Sequence, residues 1–159
     1  MEFEQLKLDN QLCFPVYAAS RLITREYQPF LDQLGITYPQ YLVLLVLWET
    51  DRITVNEISR KLILNTNTVT PLLKRMESMG ILQRHRSGSD ERKVIVALTD
   101  QGMQMKAVAA EIPAKLVAGL ASGTMDITNL VLLRDLLNQV IGLLRDKPAA
   151  EIPDNADGL

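Results

Sequence analysis

Apolar residues return at three- and four-residue intervals through most of this chain, the spacing of helices with one buried face. Over 9–34 the recurring positions are Leu12, Val16, Leu22, Ile23, Tyr27, Phe30, Leu31 and Leu34, and Gly35 supplies a stop. Asp9 or Asn10 is placed to cap this helix, and Pro29 inside it is expected to kink or split it. Residues 37–49, "TYPQYLVLLVLWE", read as a second, largely buried helix with Pro39 suited to its first turn. Thr54 and Glu57 have the spacing of a capping box, which predicts a short helix from Val55 to about residue 62. Another helix follows over 65–80, capped by Asn65 or Thr66, with Val69, Leu72, Leu73 and Met76 inward and Gly80 at its end.

The texture then changes. "ILQRHR" (81–86) and "KVIVALT" (93–99) are short, β-branched or alternating runs, separated by the polar, turn-rich "SGSDER", which predicts a β-hairpin. Thr99 is a cap for a helix over roughly 100–121, and 122–124 breaks it. The last helix, roughly 125–146, carries Leu130, Leu133, Leu137, Val140 and Leu144, whose alternating spacings make a helix-packing seam. The polar, Pro-containing tail over 148–159 is expected to be disordered. Two helices joined by a tight connection and followed by a basic hairpin describe a winged helix-turn-helix, so the fold class is mainly α with a small β-hairpin wing.

Charge sharpens this reading. The chain of 159 residues has a net charge of −2, yet Arg52 to Lys93 holds nine Lys/Arg against four Asp/Glu, with the acidic excess elsewhere. A basic middle in an acidic frame is an electrostatic footprint for DNA, and equally an ordinary solvated surface. Thr66, Asn67, Thr68 and Thr70 fall in the first part of the second helix-turn-helix helix, where side chains reach base edges and backbone N–H groups point at phosphate. Lys74 and Arg75, one turn on, suit phosphate, while Arg84, Arg86, Arg92 and Lys93 arm the hairpin for a minor groove. A capped helix start with solvated polar residues explains the Thr/Asn cluster as well, until the hairpin is added.

One cysteine and one histidine exclude an internal disulfide and a zinc cluster. No cofactor motif, metal spacing or Ser/His/Asp set is present, so an enzyme is not expected. No continuous apolar run approaches the ~18 residues of a membrane span. The acidic N-terminal stretch lacks the basic region of a signal peptide, which leads to a cytoplasmic expectation without membrane partners.

"DER" (90–92) followed by "KVIVALTDQG" resembles the wing signature of MarR-family winged-helix repressors, with Asp90, Arg92 and Lys93 as its polar positions. Residues 10–49 and "TPLLKRMESMGIL" (70–82) are similar to the organic-hydroperoxide-sensing, OhrR-type branch of that family. The resemblance implies an N-terminal dimerisation helix with a sensing cysteine over 1–36 and a DNA-binding winged helix-turn-helix over 37–99. It implies C-terminal dimerisation helices over 100–147. It further implies a homodimer on a pseudo-palindromic double-stranded operator, with recognition helices in successive major grooves and wings in flanking minor grooves.

Cys13, the lone thiol, reads two ways from its surroundings: a small core residue, or a reactive group near a helix start, where a thiol is more acidic. The resemblance favours the second, and implies that Tyr17, Tyr27 and Tyr38 hydrogen-bond the thiolate, Tyr27 and Tyr38 from the partner subunit; ordinary core packing is the competing account of each tyrosine. With no resolving cysteine, the implied chemistry is that of a one-cysteine sensor: an organic hydroperoxide oxidises Cys13, and a small cellular thiol forms a mixed disulfide with it. Two other readings stay open. One is a repressor released by a non-covalent aromatic ligand; the other is a thiol-dependent peroxide-detoxifying enzyme.

Overall fold

The computed structural model describes residues 3–88, 90, 92–121 and 125–145, so the break at 122–124 and the tail over 148–159 lie outside the described residues. Two short 3-10 turns, Glu4–Leu6 and Leu8–Asn10, precede helix α1, Cys13–Leu34. Asp9 and Asn10 therefore do not cap α1. Its N-cap is Leu12, which makes no side-chain bond, and the Asn10 side-chain amide instead donates to the Glu4 carbonyl at 2.7 Å. Pro29 does not split α1 either. The carbonyl left without its donor is that of Arg25, and both Arg25 and Pro29 are exposed, where solvent can reach the unpaired group. Gly35 closes the helix at φ +66°, the left-handed conformation that costs glycine little.

Helix α2, Tyr38–Glu49, starts at a capping box: the Thr37 backbone N–H donates to Gln40 Oε1 at 2.8 Å, which also satisfies the buried Gln40 side chain. Strand β1, Ile53–Thr54, leads into α3, Val55–Leu62, whose Thr54–Glu57 capping box forms as its spacing predicts. Helix α4, Thr66–Ser78, turns Val69, Leu72, Leu73 and Met76 inward. Strands β2, Leu82–Arg86, and β3, Val94–Leu98, form the hairpin, with Arg84 opposite Val96 and His85 opposite Ile95. The sequence pattern missed β1, which pairs with the far edge of β3 and makes a three-stranded antiparallel sheet of order β1-β3-β2.

The helix expected over 100–121 is two helices, α5, Asp100–Ala109, and α6, Ile112–Leu120. Pro113 is the reason: it has no N–H for the Ala109 carbonyl and its ring clashes there, but it fits the first turn of a new helix. The chain divides into two compact units that part after Leu116. The core of the first gathers Leu31 from α1, Tyr41, Val43, Leu44 and Leu47 from α2, Ile58 from α3, the inner face of α4, and Leu82 and Val96 from the sheet. Thr99 ties its corner: the hydroxyl reaches the Gly80 carbonyl at 2.6 Å and accepts the Gly102 N–H at 3.2 Å. Gly102 is obligatory there, since a Cβ would lie 2.2 Å from the Ile81 carbonyl oxygen. The Trp48 indole N–H donates to the Gly102 carbonyl at 2.9 Å, and Lys106 Nζ donates to the Trp48 carbonyl at 3.0 Å, joining α2 to α5.

In the second unit, α7, Ile127–Arg145, is capped by Asp126, which accepts the Asn129 N–H at 2.8 Å. By length and mean hydropathy α7 would suffice to cross a membrane, although polar residues interrupt its apolar run. Arg134, Asp135, Asn138 and Gln139 in its middle give it a polar side, as a packing helix has. None of its residues is buried within the chain.

Candidate functional site

The first-turn N–H groups of Thr66 and Asn67 are among those an α-helix cannot satisfy itself, and the Asn65 N-cap side chain makes no bond to them. Thr66, Asn67, Thr68, Lys74 and Arg75 are exposed, and Thr70 is half-buried, its side chain partly drawn to the core side. The apolar inner face thus fixes the helix and leaves a polar, basic face outward.

The hairpin separates its charges into different jobs. Arg86, Arg92 and Lys93 are exposed. Arg84 is half-buried and committed inward: its Nη2 and Nε lie 2.7 and 3.0 Å from Glu77 Oε2, and its backbone N–H donates to Glu77 Oε1 at 2.9 Å. The Arg84 hydrogen bond holds the Glu77 carboxyl below its ordinary range; partial burial opposes this, and the Arg84 backbone N–H and charge reinforce it. Arg84 therefore fastens the wing to the end of α4 rather than pointing its guanidinium at a groove, a departure from the sequence expectation. Asp90 is also structural. Its carboxylate accepts the Arg92 N–H at 3.1 Å and lies 3.6 Å from Lys93 Nζ, so it shapes the turn and orients the cations beside it.

Cys13 is the first residue of α1 and is exposed. Tyr17 follows one turn later, where Arg21 Nη1 donates to its hydroxyl at 3.1 Å and the guanidinium carbon lies 5.6 Å from its ring centre. Tyr27 and Tyr38 pack together at 5.0 Å, with Tyr41 at 5.7 and 6.4 Å from them. Burial, reinforced by Tyr38 and Tyr41, pushes the Tyr27 phenol up to about 12; burial also raises Tyr38, and burial then Tyr38 raise Tyr41. All three are neutral phenols, and so O–H donors, at physiological pH.

Fourteen residues of helix put Tyr27 about 21 Å along the axis from Cys13. Within one chain, then, Tyr17 stands one turn from Cys13, while Tyr27 and its neighbour Tyr38 lie well along the helix from it. Sequence reading missed Tyr41, though its spacing of three from Tyr38 puts both on one face of α2. Around Cys13 the first half of α1 is apolar yet exposed: Leu12 is 83% exposed and Tyr17 58%. Large apolar side chains left exposed together along one helix are the kind of surface that an interface covers. Open grooves of about 370 Å³ beside Phe30, Val108 and Lys115 and of about 600 Å³ along Arg21, Leu22 and Gln28 fall within the roughly 300–1,000 Å³ of small-molecule pockets, and one of about 250 Å³ beside Tyr41, Leu45, Trp48 and Lys106 falls below it.

Residues 25–108 match the SarA/Rot family of transcriptional regulators. The chain is 51% identical over 112 residues to the organic hydroperoxide resistance transcriptional regulator of Bacillus subtilis (strain 168), a match covering 70% of this chain and 76% of the relative. The structure of reduced AbfR of Staphylococcus epidermidis bound to DNA aligns with a TM-score of 0.72 and 41% identity, covering 91% of this chain and 100% of that one. Overoxidised AbfR bound to DNA aligns with a TM-score of 0.71 and 43% identity, covering 91% and 99%.

Proposed function

The chain belongs to the winged-helix MarR/SarA-type transcriptional regulators, which are DNA-binding proteins, and on that premise we propose that it is a homodimeric repressor that senses organic hydroperoxides through Cys13 and then releases its operator. The observation that carries this reading is the lone cysteine standing exposed at the first residue of a helix whose surrounding face is apolar. The 51% identity to an organic hydroperoxide resistance regulator supports the choice of oxidant.

The chemistry is a two-step exchange. The Cys13 thiolate attacks the outer oxygen of ROOH; the O–O bond breaks, the alcohol leaves, and sulfur becomes a sulfenic acid. A small cellular thiol then attacks that sulfur, water leaves, and a mixed disulfide remains. In the dimer Cys13 faces Tyr27 and Tyr38 of the partner subunit, neutral phenols able to donate to a thiolate; the adduct displaces them and moves the two lobes out of register with a pseudo-palindromic operator. AbfR is bound to DNA in both reduced and overoxidised forms, which supports assigning release to the bulk of an adduct rather than to added oxygen alone. In this reading, α4 enters the major groove with Thr66, Asn67, Thr68 and Thr70, Lys74 and Arg75 meet phosphate, and Arg86, Arg92 and Lys93 line the minor groove. Arg84 and Asp90 hold the wing. The protein acts in the cytoplasm, beside its DNA.

The test is operator binding with and without an organic hydroperoxide plus a small thiol. Wild type is expected to release DNA and to rebind after dithiothreitol, while Cys13→Ser stays bound throughout. Release by Cys13→Ser under the same oxidant would overturn the proposal and turn attention to a non-covalent ligand.

A further inference from the structure

Four described residues have a left-handed backbone: Gly35, Gly80, Arg52 and Ile63. Two are glycines, and arginine is unbranched at Cβ. Ile63, at φ +56° and ψ +42°, is a β-branched residue in the region where its Cβ crowds the following carbonyl. The backbone there closes α3: the Leu64 N–H donates to the Ser59 carbonyl at 3.0 Å, the end-of-helix motif in which glycine or asparagine ordinarily takes the left-handed position.

The strain gains nothing for the core. Ile63 is 56% exposed, and Leu64 beside it is 37% exposed. Both lie in the tight connection between α3 and α4, three and two residues before Thr66, in an exposed stretch that leads directly into Thr66, Asn67 and Thr68. A strained, exposed apolar side chain has its use in something that is not part of the folded chain. At this position the adjoining partner is the DNA major groove, whose one apolar feature is the thymine 5-methyl group.

We propose that Ile63 is a specificity residue for the operator: its branched side chain packs against the 5-methyl of a thymine adjoining the bases met by the start of α4. This rests on the reading of α4 as the recognition helix. Burying an apolar side chain against that methyl removes both from water, a gain that thymine offers and the other bases do not.

The probe is the tightest duplex selected from a random pool by the reduced wild-type protein. Replacing the contacted thymine in each half-site by deoxyuridine removes only the methyl, and costs wild type roughly fourfold per half-site. Asparagine accepts the left-handed backbone but lacks the apolar body, so Ile63→Asn is expected to bind the selected duplex on the order of tenfold more weakly, without a lower Tm. It is expected to bind an unrelated duplex as wild type does and to be indifferent to deoxyuridine. Ile63→Leu retains most of the affinity. Equal deoxyuridine penalties in wild type and Ile63→Asn at every thymine, or equal weakening on selected and unrelated DNA, overturn the assignment. Asn67→Ala separates the two levels. If it weakens binding and Ile63→Asn does not, Ile63 alone is misassigned; if neither does, the recognition-helix reading fails with it.

Discussion

The winged-helix lobe and the terminal helix α7 are both rich in apolar residues and meet opposite fates. In the lobe, Leu44, Ile58, Val69 and Leu73 are completely buried, and polar groups at the corners are spoken for: Asp51 accepts the Leu98 N–H at 2.9 Å, and Glu77 holds Arg84. In α7, Leu133 is 40% exposed, Val140 47% and Leu144 60%, along the very seam its spacing defines. The lobe has finished its folding within one chain. The seam still holds apolar area that water disfavours, the ordinary driving force for association with another copy.

The comparison breaks most sharply at Leu133. Leu133→Asp puts a charge on the seam without touching the lobe's core, so sedimentation is expected to show monomers and operator affinity to fall by at least two orders of magnitude, while the lobe keeps its cooperative melt. A dimer that survives this change would place the interface elsewhere.

A smaller effect separates fastening from contact inside the lobe. Arg84→Ala leaves Glu77 without its partner and is expected to cost about 1–3 kcal/mol of stability and to weaken DNA binding through a loosened wing. Because the Arg84 guanidinium is already paired with Glu77, the dependence of affinity on salt should stay as in wild type. Lys74→Ala should do the reverse, leaving stability alone and reducing the salt slope by about one per protomer. A changed slope for Arg84→Ala would return that residue to the DNA surface.

The smallest effect is confined to high pH. Tyr27 keeps its proton to about 12 in the folded chain, above the ordinary 10, so it favours folding most below pH 10 and loses that contribution as pH rises through 10 to 12. A pH titration of phenolate absorbance should show three late tyrosines, Tyr27, Tyr38 and Tyr41, with the last of them absent in Tyr27→Phe; if that variant titrates as wild type, Tyr27 is not the most strongly held phenol.

What was legible in the sequence was local. The Thr54–Glu57 box, the inner face of α4 and the hairpin each rest on residues a few positions apart, where the spacing itself is the physical cause. What was hidden depended on surroundings. Pro29 is a helix breaker by composition, but it falls on the exposed side, where solvent can reach the carbonyl it leaves unpaired. Pro113 falls in the first turn of α6 instead, and α5 ends before it. Strand β1 is two residues long and exists because the edge of β3 was free to pair with it. Among the site residues, the exposed face of α4 was readable from the positions between its apolar ones. The reassignment of Arg84 was not, since its partner sits seven residues earlier on a different element and is reached only by folding.

Trp48 is the chain's single tryptophan, and its ring centre lies 6.3 Å from that of Tyr41, the tyrosine that touches both Tyr27 and Tyr38. Light absorbed by those phenols is close enough to pass to one indole, whose own N–H is anchored to the start of α5. The molecule thus carries its own optical gauge, with antenna at one end of α2 and emitter at the other. Any event that disturbs the tyrosines will alter the tryptophan's emission without a label, and stopped-flow fluorescence can time that event against the loss of DNA.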